Sequence, residues 1–230
     1  MKEACPGITI LKRYGPYKNA CWLLEAGNEA AVVEMPMFTA TERPPYQRVE
    51  GYVRRRKSHL KYALLSHGHL DHCYSLPSFR RWFPHTHFVA HRSMVEDRHF
   101  IQLMARNPAM PWNDWMEGRW HLFDELFDGL LWSGTLGGEP IHLIHAPKHS
   151  YTDHLIVFRG AMITGDWFLG DLRDCNAIVR PQDKVRAIQM ATQAVSHLGY
   201  HVHMLFSAHG DCLFYDVDFY EMMRRSQVAH

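Results

Sequence analysis

The sequence predicts a layered α/β fold, and three features of its apolar patterning carry that expectation. Short strand-like runs follow one another through the first 33 residues. Residues 62–90 then alternate strand, helix and strand. The second half repeats the pattern, with several strands leading into one long helix. Strands alternating with helices of this length are how a sheet acquires helical layers on its faces.

The elements follow in order. Residues 8–11 and 20–24 are apolar runs that read as strands, and the turn signal Gly27-Asn28 leads to a third at 30–33. Pro44-Pro45 precedes a polar, Arg-rich stretch predicted to be helical through about His59. Residues 62–65 form a short run of buried-strand type that stops at Ser66. A helix over 76–83 and a strand over 88–90 come next. From Met94 to about Trp120 the pattern is helical, broken at Asn107-Pro108 and Met110-Pro111. Residues 129–158 read as successive strands with turns at Gly134 and Gly137-Gly138, and residues 161–164 as one more. The clearest helix spans 181–197, with proline at its start and Gly199 just past its end. A strand at 202–206 and a helix at 217–225 close the chain.

With 230 residues, 47% hydrophobic and 21% charged, the composition is that of an ordinary globular protein. No linker or repeat divides it, so one domain over 1–230 is expected. Lys plus Arg total 25 against 24 Asp plus Glu, a formal net charge of +1, so neither nucleic acid nor membrane is expected as a partner. Cys5, Cys21, Cys73, Cys175 and Cys212 are odd in number and hold no C-x-x-C pair; reduced thiols in a cytoplasmic protein are the expectation. Residues 1–10 show no secretory h-region, and no apolar run approaches the roughly 20 residues that span a bilayer. The 18 histidines stand out, because neutral imidazole is the commonest protein metal ligand.

Four metal-competent side chains fall within His67-Gly68-His69-Leu70-Asp71-His72, just after the buried run at 62–65. Alternate residues of an extended segment point the same way, so His67 and His69 can converge on one ion. Asp71 and His72, past the turn, can reach a second. Gly68 is expected where backbone passes close to the metals. Imidazole with carboxylate suits zinc, iron or manganese better than calcium, and the absence of thiolate argues against a closed structural zinc site.

H-x-H-x-D-H after a hydrophobic strand resembles the metallo-β-lactamase superfamily, whose fold is a four-layer αββα sandwich with metals at one sheet edge. His145-Ala146-Pro147-Lys148-His149-Ser150 is similar to the family's H-T-P-G-H-S segment, Thr164-Gly165-Asp166 to its T-G-D turn, and Ser207-Ala208-His209-Gly210 to its P-G-H-G segment. The resemblance implies one ion on His67, His69, His149 and Asp166, and a second on Asp71, His72, His209 and the bridging Asp166. It also implies that Asp71 orients the attacking water. The cofactor expected is two divalent metal ions, zinc first, with iron or manganese as alternatives. Their bridging hydroxide would cleave an ester, thioester, lactone, amide or phosphoester bond of a small-molecule substrate.

Three positions depart from the family pattern. Glu34 stands for the usual strand-end Asp, either as an acceptor for a ligand histidine or as an ordinary strand-end carboxylate. Lys148 replaces a Gly, which changes the loop or puts a cation beside the metals for an anionic substrate. Ser207-Ala208 replaces Pro-Gly. Tyr151 and His154 are the further candidates for supporting a ligand or touching substrate. Trp112, Trp115 and Trp120 line a pocket, form a lid, pack on the core or make the contact of a homo-oligomer. Arg54 to Lys57 read as a solvated helix face, and Cys73 and Cys212 as structural thiols. Two alternatives remain on the same fold: a mononuclear iron oxidoreductase of persulfide-dioxygenase type, and a metal-binding sensor without turnover. Flavodiiron reductases fit less well, since they usually carry Glu at the position of His69, and so does glyoxalase II, for want of its glutathione-binding domain.

Overall fold

The computed structural model describes residues 1–168, 178–210 and 212–229; Cys175 lies outside them. Seven strands form one mixed sheet in simple chain order: β1 (Lys2–Cys5), β2 (Ile8–Tyr14), β3 (Asn19–Ala26), β4 (Glu29–Val33), β5 (His59–Leu64), β6 (His87–His91) and β7 (Glu125–Phe127). Its first four strands are an antiparallel meander, and from β4 onward the pairing is parallel. The second sheet runs β13 (Leu213–Tyr215), β12 (Met204–Ser207), β11 (Ala161–Gly165), β10 (His154–Phe158), β9 (Glu139–His145) and β8 (Leu131–Leu136). There β11 and β12 are the parallel pair.

The strand period of two sorts side chains into layers. On β3, Trp22 and Leu24 face the second sheet and meet Ile156, Phe158, Ile163 and Phe206, while Cys21 and Leu23 face outward. That outer face is covered by α1 (Pro45–Arg56), α3 (Leu76–Trp82) and α5 (Arg98–Ala105) through Val49, Phe79 and Phe100. The outer face of the second sheet packs on α7 (Pro181–His197) and α8 (Phe219–Val228) through Ile188, Val195 and Phe219. Helix, sheet, sheet and helix are stacked in that order, which is the αββα sandwich. Among the described residues no helix is long and apolar enough to cross a membrane.

The long helix occupies 181–197 as patterned, with Pro181 in its first turn and Gly199 at φ +59 just beyond. The Arg-rich helix stops at Arg56 and not at His59. Lys57 turns left-handed there, and His59 donates its amide to Asn28 to begin β5. Between Met94 and Trp120 the chain forms α4 (Ser93–Glu96), α5 and α6 (Trp112–Met116). Trp115 and Trp120 pack against the outer core cluster of the first sheet, so this segment is docked on the sandwich. Arg54 to Lys57 are exposed at the end of α1.

Trp22 and Phe206 stack across the two sheets at 5.6 Å with both rings fully buried. Trp22→Ala is expected to lower the unfolding free energy by about 3–5 kcal/mol, read from urea denaturation; a loss below about 1 kcal/mol contradicts the central role given to this contact.

Candidate metal centre

The histidine run leaves the carboxyl end of β5 in extended backbone and then turns into the one-turn helix α2 (Leu70–Cys73), with His69 at its N-cap. The change of backbone divides the run. His67 and His69 project from the extended part; Asp71 and His72 project from the helical turn. His149 comes from the loop between β9 and β10, Asp166 from the turn after β11, and His209 from the turn after β12. Ligand-type atoms gather in two groups, each within 4.8 Å: His67, His69, His149 and Asp166, and Asp71, His72 and His209.

In the first group Nε2 of His67 lies 3.0 Å from Nδ1 of His69, which is 3.3 Å from Nε2 of His149. Asp166 Oδ2 is 3.5 Å from His149 and 3.9 Å from His67. In the second, Asp71 Oδ2 is 3.5 Å from His72 Nε2 and 3.2 Å from His209 Nε2. The other oxygen of Asp166, Oδ1, is 3.4 Å from His72 and 3.3 Å from His209. Tetrahedral ligands 2.0–2.1 Å from a zinc ion stand about 3.3 Å apart, so both groups have the spacing of a coordination shell. Asp166 presents one oxygen to each. His72 Nε2 and Asp166 Oδ1 are buried without any hydrogen-bond partner, a costly arrangement unless a cation takes their lone pairs. The donor set fits two ions.

Electrostatics differ between the groups. Burial, with the neighbouring imidazoles, holds His67 well below its ordinary pKa and His69 at about 4, so both rings are neutral near pH 7. At His209 burial is outweighed by the bonds to Asp166 and Asp71, which push it up to about 9. His72 is likewise raised, because Asp166 and Glu34 outweigh burial. Asp166 is lowered, because His72 and His209 outweigh its burial.

Supporting contacts fix the rings. His72 Nδ1 donates to Glu34 Oε1 at 3.1 Å. Glu34 is fully buried at φ +70, left-handed backbone that costs a Glu on the order of 1 kcal/mol. His209 Nδ1 donates to the Tyr17 carbonyl at 2.9 Å, leaving Nε2 facing Asp71. Ser66 Oγ meets His67 Nδ1 at 2.9 Å. Gly165, at φ +56, lies so close that a Cβ there would come within 2.5 Å of Ser66 Oγ.

Several expectations are corrected. A Cβ on Gly68 would press on Met94 and Phe100, so helices α4 and α5 over the sheet are themselves a reason for this glycine. Lys148 is fully buried; its ammonium donates to the Trp167 carbonyl at 2.7 Å and sits over the Trp167 and Phe168 rings. It offers no cation to an anionic substrate, and its φ is not positive, so the Gly-to-Lys change carries no left-handed strain. Tyr151 directs its hydroxyl to Asp183 at 3.2 Å, in a cleft apart from the ligands. His154 donates from Nδ1 to the Leu65 carbonyl and accepts the His91 amide at Nε2; held neutral by burial, with a pKa of about 3, it braces the strand before His67. Trp112, 41% exposed on α6, does not line the ligand cavity.

Asp153 escaped the sequence reading. Its buried Oδ2 accepts the amides of Lys148, His149 and Ser150 at 2.9, 2.6 and 2.9 Å, and Trp167 Nε1 at 3.1 Å. One carboxylate thus shapes the His149 loop and ties it to the residue after Asp166. Its signal was an Asp closing a polar loop, the residue type that gathers loop amides. Thr152 Oγ1 accepts the Gly68 amide, and Asn19 Nδ2 donates to the Asp71 carbonyl.

Known proteins share both the sequence pattern and the fold. The family described as Metallo-beta-lactamase superfamily matches residues 14–173, short of His209. No curated protein matches the sequence. Among solved structures, a metallo-beta-lactamase family protein from Thermus thermophilus is 16% identical with TM-score 0.67, covering 99% of this chain and 80% of that one. A metallo-beta-lactamase from Pontibacter korlensis is 13% identical with TM-score 0.68, covering 99% and 96%. The rubredoxin oxygen:oxidoreductase of Desulfovibrio gigas is 12% identical with TM-score 0.67, covering 99% of this chain and 60% of that one. At these identities the likeness is one of fold.

Removing the Glu34 acceptor by Glu34→Ala is expected to weaken metal binding 10- to 100-fold, measured by competition with a chromophoric chelator; unchanged affinity contradicts the role given to Glu34. His72 and His209 both carry protons at pH 7 in the ion-free protein, and an ion must displace them. Metal uptake is therefore expected to release protons at pH 7 and to tighten as pH rises toward about 9. Calorimetry in buffers of differing ionisation enthalpy counts them, and a count of zero contradicts this assignment.

Proposed function

The chain belongs to the metallo-beta-lactamase superfamily, and on that premise we propose that it is a dinuclear metal-dependent hydrolase of a small molecule. One observation carries the proposal. Two groups of nitrogen and oxygen donors face opposite oxygens of Asp166, and the buried His72 Nε2 and Asp166 Oδ1 meet only other members of the cluster, at ion-pair distance and without a hydrogen bond of good geometry. His67, His69, His149 and Asp166 hold the first ion; Asp71, His72, His209 and Asp166 hold the second. Zinc suits this set of imidazoles and carboxylates, and iron or manganese suits it next.

When bound, such ions polarise a carbonyl or phosphoryl oxygen and make water nucleophilic at neutral pH. The protein's own groups do the positioning. His69, Asp71, His149, Asp166 and His209 line one face of an open cavity of about 710 Å³, large enough for a metabolite-sized substrate. Asp71, partly exposed there, orients the attacking water. The bonds from Glu34 to His72 and from Tyr17 to His209 keep both imidazoles aimed, so that little reorganisation accompanies the reaction.

Purified protein is expected to hold about two metal equivalents and to hydrolyse members of a panel of esters, thioesters, lactones, amides and phosphodiesters. Asp71→Ala is expected to lower kcat by about 10²-fold or more. One tightly held iron with oxygen consumption overturns the proposal in favour of an oxidoreductase. Two equivalents of metal without turnover on any bond class favour a sensor.

A further inference from the structure

Beside the ligand cluster, the cavity is lined by apolar side chains. Tyr17, Met37, Leu70 and Cys212 line it beside Asp71 and His209. Each of the first three is tied to a ligand: the Tyr17 carbonyl accepts from His209, the Met37 amide donates to the Asp71 carbonyl, and Leu70 sits between His69 and Asp71 in the chain. Tyr17 also places its ring edge-on to His209 at 6.5 Å. Tyr17 is 64% exposed and Leu70 37% exposed, so both keep apolar surface in water where a ligand can cover it.

Charge points the same way. No Lys or Arg lines this cavity among the described residues. The nearest cation in sequence to a ligand, Lys148, is buried against Trp167 and Phe168, and Arg180 and Arg186 line a separate cleft with Tyr151. Among the described residues that line the cavity, none offers a cation to a carboxylate or phosphate remote from the scissile bond.

Resting on the hydrolase proposal above, we propose that the substrate is an uncharged acyl compound, an ester, thioester or lactone, whose apolar chain lies on the Tyr17, Met37 and Leu70 wall. Its carbonyl lies over the donor cluster, where the ion that His67, His69, His149 and Asp166 would hold could polarise it, and the chain runs toward the His209 side. Hydrolysis breaks the acyl–oxygen or acyl–sulfur bond. Water gives its hydroxyl to the acyl carbon and a proton to the departing oxygen or sulfur, with no co-reactant. Covering apolar wall with methylenes is the specificity device, worth about three- to fourfold in affinity for each one that is buried.

The test uses the zinc-loaded protein and a series of straight-chain hydroxamic acids from acetyl to octanoyl, with binding measured by calorimetry. The hydroxamate head is constant, so the slope of affinity against chain length reads the wall alone and requires no turnover. Affinity is expected to climb about threefold or more per methylene over the first several carbons, and the slope to fall by half or more in Tyr17→Ala and in Leu70→Ser. A terminal carboxylate on the octanoyl analogue is expected to cost at least tenfold. A flat series, an unchanged slope in both variants, or equal binding of the carboxylate analogue overturns the assignment. A rising series in a protein that hydrolyses nothing leaves the wall standing and removes the hydrolase proposal.

Discussion

Seven donor side chains converge where water scarcely reaches, and the rest of the molecule is organised around holding them there. His67 and His72 are fully buried, and Asp166 is only 9% exposed, its Oδ1 facing His72 and His209 at ion-pair distance. Lone pairs and carboxylate charge packed this closely are unstable unless protons or cations lie between them. Protons can serve only in part, because burial holds the pKa of His67 and His69 down while the neighbouring carboxylates raise only those of His72 and His209. Divalent cations are the counter-charge we propose for all seven.

Such a cluster needs a scaffold that resists its collapse. Its members leave the carboxyl ends of β5, β11 and β12, where the parallel pairs of the two sheets end together. Hydrogen bonds sew those ends to each other. The His154 amide reaches the Ser66 carbonyl at 2.6 Å, the Ala208 amide that of Gly165 at 2.9 Å, and the Ala20 amide that of Ala208 at 2.8 Å. The buried core between the sheets supplies the stiffness, and Asp153 fixes the His149 loop between β9 and β10.

Much of this is legible in the residues. The period-two runs and the proline-to-glycine bounds of α7 mark the elements, and the spacing from His67 to His72 marks the ligand loop. Short elements such as β1, α2, β7 and β13 leave no pattern, because they are too short for an alternation or a helical repeat to recur more than about once. Two residues whose roles differ from expectation share one cause. Lys148 and Tyr151 lie near His149 in sequence, but loop geometry turns both away from the ligands, whereas His154 acts from behind, on the strand that ends before His67. Tyr17 and Met37 escape notice for the converse reason. They lie far along the chain from the ligands and reach them only through backbone contacts with His209 and Asp71.

The central claim is that these seven side chains hold two ions bridged by Asp166. Crystals of zinc-loaded protein, measured at the zinc absorption edge, test it directly. Two anomalous peaks about 3.5–4 Å apart, with an oxygen of Asp166 on each, are the predicted result; a single peak, or two peaks that Asp166 does not join, contradicts it.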